Sequence, residues 1–277
     1  MEQNTIPKVI HYCWFSEDKL PPFLLECINT WKVVMPDYTL RLWDSKSFDF
    51  TTIPFVYEAY SSKKWAFVAD YIRLFALYTE GGIYLDSDVK VFKSFDKFLN
   101  YDFFTSHEIF PDKFSISQQS KLDSSFKPKN KDEYIQGFNV QAAIIGAKKG
   151  NLFLKECMEF YSDKHFIGSN NNLLCDYFII GPIISKIAEN YGYKYFDSEQ
   201  HLLNNMIVFK SDVFVGMSIF QNNNSYAIHL CNGTWREKKK IDRIYQNIRN
   251  YYPMLFPYYL FIYKVIKKIE RTFKPTK

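Results

Sequence analysis

The chain has 277 residues, 19% of them aromatic and 23% charged, with a net charge of only +5. That length holds one large α/β domain with at most a small appended tail, and the mixed composition excludes a disordered chain. The positive excess lies wholly after Trp235, which argues against general nucleic-acid binding and suits a phosphate-bearing ligand or an anionic surface.

Five cysteines, Cys13, Cys27, Cys157, Cys175 and Cys231, show no CxxC spacing and read as reduced thiols of a cytosolic protein. The stretch before Val9 has no basic n-region and no cleavage-like site, so no signal peptide is expected. No run of 18 apolar residues predicts a spanning helix.

Val9 to Phe15, apolar behind Pro7, predicts a buried first strand. Pro21-Pro22 opens a helix through Trp31 that ends at Pro36-Asp37. Tyr38 to Trp43 alternates as a second strand, and strand, helix, strand in this order predicts a parallel βαβ unit. Lys64 to Thr79 predicts a helix with Ala66, Ala69, Ile72, Phe75 and Ala76 on one face, stopped by Gly81-Gly82. Ile83 to Leu85 is a short strand running out at Asp86-Ser87-Asp88. Pro111 to Glu133 is polar and reads as a surface loop. Phe138 to Ala147 reads as a strand, Leu152 to Tyr161 and Ile183 to Tyr191 as helices, and Ile207 to Phe209 and Tyr226 to Leu230 as strands. The alternation predicts an open, mostly parallel α/β sheet.

Asp86 and Asp88 stand two apart at the carboxyl end of a predicted parallel strand, where open α/β sheets gather ligands. Two carboxylates there repel unless a cation lies between them, and a hard ion that also bridges a diphosphate satisfies both. Alone, the pair also fits a solvated turn with two unrelated aspartates. Asp70 and Arg73, three apart on one helix face, are either a surface ion pair or a hydroxyl acceptor beside a phosphate donor. Trp14, at the end of the first strand, reads on its own as a core or rim ring. Tyr84 is a strand residue two before Asp86, and His229 ends an apolar strand either as a bonded core histidine or as a metal ligand. Asn139 follows Gly137-Phe138, and it and Gly181-Pro182 also read as plain turn and strand punctuation.

Trp65 to Arg73 followed by Glu80 to Asp88 resembles the DxD sugar-binding region of glycosyltransferase family 32. That group includes fungal mannosyltransferases and bacterial capsular polysaccharide transferases, with the large clostridial toxin glucosyltransferase domains more distant. Ile6 to Phe15 resembles the family's first strand, and Tyr226 to His229 with Gly233-Thr234-Trp235 its C-terminal element, so the resemblance spans roughly residues 6 to 236.

The resemblance implies a GT-A (Rossmann-like) fold, retention of anomeric configuration and Mn²⁺ or Mg²⁺ as cofactor. It puts Asp86 and Asp88 on the metal and Asp70 and Arg73 on the donor sugar and diphosphate. Trp14 then stacks on the base, and Tyr84, Asn139 and Trp235 contact the donor. His229 completes the metal site, with Asn232 or Thr234 as alternatives. The implied partners are a nucleotide-sugar donor, UDP-linked by analogy with the bacterial relatives, and a saccharide or lipid-linked acceptor, with no nucleic acid.

Residues 1–236 would form the catalytic domain and 237–277 a basic, aromatic helical tail. Rings from Tyr251 to Tyr263 followed by lysines and arginines fit a segment lying on an anionic membrane surface, at the inner face of the plasma membrane. They equally fit a helix packed on the domain or in a dimer. A rival reading takes Asp86-Ser87-Asp88 as the start of a haloacid dehalogenase-type phosphatase motif, and a non-enzymatic one takes the site as a degenerate sugar-nucleotide binder.

Overall fold

In the computed structural model, residues 5–168 and 179–231 are described, together with scattered residues between 241 and 266. Trp235, Asn232 and Thr234 lie outside the described residues, as does Cys175. The elements are β1 (Val9–Cys13), α1 (Pro22–Val34), β2 (Thr39–Trp43), α2 (Pro54–Ser61), α3 (Trp65–Glu80), β3 (Gly82–Leu85), β4 (Val89–Val91) and β5 (Phe103–Ile109). After them come α4 (Ile116–Gln119), β6 (Phe138–Val140), β7 (Ile144–Ala147), α5 (Leu152–Glu159), α6 (Ile180–Ala188), β8 (Gln200–Leu202), β9 (Met206–Phe209), β10 (Phe214–Val215) and β11 (Ala227–His229).

The central sheet has the order β2-β1-β3-β7-β5-β9-β8, with β6 paired to β5 outside that path. β1 pairs parallel with β2 and β3, β7 runs against both β3 and β5, β9 runs with β5 and β8 against β9. Five of the seven strands on the path therefore share one direction, and the carboxyl ends of β1, β3 and β5 meet at one edge of the sheet. The expected open, mostly parallel α/β sheet is present, as is the first βαβ unit. A small sheet, β10-β11-β4, completes the strands.

Each face of the sheet has its own core. One gathers α2, α3, α5 and α6 around Phe55, Leu74, Phe153 and Ile184. The other holds Trp31, Met35, Phe98 and Phe214. On that side the Trp31 indole donates to the Val89 carbonyl at 2.8 Å and the Thr30 hydroxyl accepts from the Val91 amide, fixing α1 to β4.

Four expectations are corrected. α3 is buried from Phe67 to Leu74 without a break and so has no single apolar face, because it lies between the sheet and α2 and α5. Residues 138–147 are not one strand: Gln141 to Ala143 leave the ladder between β6 and β7. α6 begins at Ile180 and takes in Gly181-Pro182, which the first turn of a helix tolerates. β5, whose buried Thr105, Ser106 and His107 interrupt its apolar run, is an element the pattern did not reveal.

The Gly81-Gly82 turn is set by His11. Trp43 Nε1 donates to His11 Nδ1 at 3.0 Å, so His11 Nε2 carries the hydrogen and donates it to the Gly81 carbonyl at 2.7 Å. Gly81 (φ 71°, ψ 179°) occupies a region open only to glycine, and a side chain on Gly82 would meet the Val9 carbonyl oxygen at 2.7 Å. The turn launches β3, and the two aspartates follow directly after it.

Candidate active site

The shared carboxyl edge of β1, β3 and β5 opens on a cleft of about 900 Å³. Trp14, Asp70, Arg73, Tyr84, Asp86, Asp88, Asn139 and His229 all line it. Every described candidate thus reaches one cavity, although they come from five different stretches of the chain.

Asp86 leaves β3 with its amide on the Ala143 carbonyl at 2.9 Å, and its own carbonyl accepts from the Val89 amide in a tight turn. β4 then starts at Val89 and pairs antiparallel with β11, with Val89 opposite His229. The Leu230 amide donates to the Asp88 carbonyl at 3.1 Å. This pairing brings His229 Nε2 to 3.4 Å from Asp88 Oδ1 and 3.7 Å from Asp86 Oδ2.

Two carboxylates and one imidazole nitrogen facing each other make a donor set that could hold a divalent ion. At the 2.0–2.1 Å bonds of an octahedral hard cation, adjacent donors stand about 2.9 Å apart and opposite ones about 4.1 Å. The two His229 distances fall within that span, so the residues fit Mn²⁺ or Mg²⁺. Burial lowers the His229 pKa, but Cys231 and Asp88 outweigh it and hold the imidazole well above its ordinary value.

Arg73 braces the pair from beneath. Its Nη2 donates to Asp70 Oδ1 at 2.8 Å, Nη1 to the Ala142 carbonyl at 2.7 Å and Nε to the Ala69 carbonyl at 3.2 Å, while Nη1 stands 3.4 Å from Asp86 Oδ1. The Tyr84 hydroxyl donates to Asp86 Oδ1 at 2.9 Å, and its ring lies 4.7 Å from the guanidinium. Most of Arg73's donors are committed within the protein. The Asp70–Arg73 pair is buried, not the surface ion pair that spacing alone allows. Burial pushes the Asp70 carboxyl up to about 7, with Arg73 opposing. Burial disfavours the charged form of Arg73, but Asp86, Tyr84 and Asp70 hold it above its ordinary value.

Trp14 follows β1 and lines the cleft, its indole nitrogen donating to the Asp18 carbonyl at 2.7 Å. Asn139, on β6, is buried with its amide nitrogen placed to donate to the Phe138 and Ile135 carbonyls. It packs on the backbone at Gly181, which gives that glycine a role in the site.

Two cleft residues were not foreseen. Glu108 is the penultimate residue of β5, with Oε1 3.3 Å from His229 Nδ1, and Cys231 Sγ lies 3.2 Å from the same nitrogen. The only sequence signal for Glu108 is its place after the apolar Phe103-Phe104, and β5 itself was not apparent.

Residues 21–105, which contain Asp86-Ser87-Asp88, match the family described as the glycosyltransferase sugar-binding region containing DXD motif. Over 104 residues the chain is 35% identical to inositol phosphoceramide mannosyltransferase 3 of Schizosaccharomyces pombe, covering 36% of this chain and 29% of that protein. The chain therefore aligns with less than a third of that relative's length. Among solved structures, the galactosyltransferase LgtC in complex with donor and acceptor sugar analogues aligns at 10% identity, covering 91% of this chain and 94% of its own, with a TM-score of 0.48. PaToxG glycosyltransferase aligns at 17% identity over 67% of this chain and 70% of its own, with a TM-score of 0.45. The family match leaves the phosphatase reading of the DxD without support. Residues 21–105 are thus similar to the glycosyltransferase sugar-binding region containing DXD motif.

Proposed function

We propose that the chain is a retaining, divalent-metal-dependent glycosyltransferase that moves a hexose from a nucleotide-sugar, UDP-linked by preference, to a saccharide or lipid-linked saccharide acceptor. The observation that carries the reading is the meeting of Asp86, Asp88 and His229 at one end of a cleft that also holds Trp14, Asp70 and Asn139. The yeast relative's name adds mannose to the donors worth testing.

Asp86, Asp88 and His229 would hold Mn²⁺ or Mg²⁺, whose charge stabilises a leaving diphosphate. Arg73 and Tyr84 fix the rotamer of Asp86, so the carboxylate needs no reorganisation when charge develops. The Asp70 carboxylate accepts hydrogen bonds from hydroxyls of the donor sugar, and the Trp14 ring stacks on the base. The acceptor attacks on the face the diphosphate leaves, and a diphosphate oxygen takes its proton.

Residues 1–236 would form the catalytic unit and 237–277 a tail that rests on an anionic membrane surface at the cytoplasmic leaflet, near a lipid-linked acceptor. Tyr258 and Phe261, 76% and 71% exposed, support that surface. Among the described residues, no helix is long and apolar enough to cross a membrane.

The test is a donor screen of UDP- and GDP-hexoses with Mn²⁺, scored by release of nucleoside diphosphate and by NMR of the product anomer. Release from one donor class with retained configuration is the expected outcome. Inversion would overturn the retaining mechanism, and no release with any donor and acceptor would favour a binding protein.

A further inference from the structure

The imidazole of His229 has two nitrogens with opposite surroundings. Nε2 faces Asp86 and Asp88, whereas Nδ1 lies 3.3 Å from Glu108 Oε1 and 3.2 Å from Cys231 Sγ. An ionised carboxylate only accepts, so Glu108 requires a hydrogen on Nδ1. The Cys231 thiol donates to the Gly216 carbonyl at 3.6 Å, so in that arrangement its sulfur also presents a lone pair to Nδ1. We infer that Glu108 is a positioning residue: it takes the Nδ1 hydrogen of His229 and leaves Nε2 as a bare lone pair aimed between Asp86 and Asp88.

The backbone around Glu108 is built to allow this. A β-carbon on Gly216 would lie 2.8 Å from Glu108 Cγ and 3.1 Å from Oε1, so the carboxylate sits where residue 216 has no side chain. The Ser106 hydroxyl accepts from the Phe214 amide at 3.0 Å, which ties β5 to β10. β10 in turn pairs with β11, the strand that ends at His229. Glu108 is mostly buried, with 13% of its side chain exposed, so water competes little for the bond. A carboxylate on the far nitrogen fixes the tautomer and ring plane of a ligating histidine and raises its basicity. Glu108, His229 and Cys231 also cluster closely enough to hold an ion of their own, but they share His229 with the aspartate pair and form the back of the same site.

The inference rests on the metal-site reading and is separable from it. Titration calorimetry of Mn²⁺ alone into the full chain compares wild type, Glu108→Ala and Glu108→Gln. Glu108→Ala should weaken Mn²⁺ binding about 10- to 100-fold. Glu108→Gln, whose amide oxygen still accepts, should recover most of that loss. Equal Mn²⁺ affinity in wild type and Glu108→Ala overturns the inference and leaves the metal site standing. Glu108→Gln as weak as Glu108→Ala also overturns it, because the charge and not the accepted bond would then matter. Wild type that binds no Mn²⁺ overturns the metal site itself and this inference with it. Should Glu108→Ala fail to fold, the ¹⁵N spectrum of His229 in the metal-free wild type, at a pH where the imidazole is neutral, decides: a hydrogen on Nδ1 supports the inference and one on Nε2 overturns it.

Discussion

Replacing Arg73 by methionine keeps an unbranched, flexible stem and removes the charge and donors. The Asp70 carboxylate, 8% exposed, loses its partner at 2.8 Å, and the Ala142 carbonyl loses one at 2.7 Å. Breaking a buried ion pair from one side costs about 3–5 kcal/mol, because the remaining charge is uncompensated. Asp70 can escape part of that cost by taking a proton, since burial already raises it to about 7 with Arg73 present. A carboxyl whose folded pKa exceeds its unfolded value binds more protons when folded, so stability falls as pH rises through the interval between the two. The deficit of Arg73→Met relative to wild type should therefore be smallest near pH 5 and grow toward pH 8. Urea unfolding of both proteins in chelator, across that range, measures it. The double variant Arg73→Met/Asp70→Asn removes the orphaned charge and should recover part of the loss and flatten the pH trend. An Arg73→Met protein within about 1 kcal/mol of wild type at pH 8 would refute the buried-brace account, since a surface pair is worth no more than that.

Burial lowers the His107 pKa to about 4, with Nε2 bonded to the Ser198 carbonyl at 2.8 Å. The unfolded histidine binds protons at higher pH, so stability should fall by on the order of 3 kcal/mol as pH drops from 6.5 to 4, and urea midpoints of wild type and His107→Gln should converge in that interval. Gly82→Ala forces a side chain against the Val9 carbonyl at a φ of 114° and should cost about 2–4 kcal/mol by urea unfolding; a change below about 0.5 kcal/mol would mean that the turn relaxes freely. Liposome flotation of the full chain should show retention on anionic vesicles at low salt and release at high salt, and flotation equal to that of a chain ending at Asn250 would return the tail to a packing role.

The resemblance located the chemistry better than it located the fold around it. Asp86 and Asp88 were legible because Gly81-Gly82 cuts the helix cleanly and an apolar run leads to the pair. Why they meet His229 was not, since that depends on β4, three residues long, pairing with β11 some 135 positions later. β5 was hidden by its own buried polar residues. Thr105 bonds to the Gln141 and Ile144 carbonyls and His107 to Ser198, so these side chains are satisfied inside a core that their types seem to forbid. Glu108 was lost with that strand. Arg73 was read as a group that reaches the ligand because its type and spacing suit phosphate. Only the carbonyls of Ala69 and Ala142, invisible in a side-chain pattern, reveal how fully it is occupied.

The central claim is that Asp86, Asp88 and His229 hold a divalent ion on which nucleotide binding depends. Calorimetric titration of UDP and of GDP into the full chain, in saturating Mn²⁺ and again in excess EDTA, tests it directly. The account predicts binding of at least one nucleotide in Mn²⁺, weakened about tenfold or more in EDTA, with the difference abolished in Asp88→Asn. Equal affinity with and without the ion in the wild-type protein would contradict it.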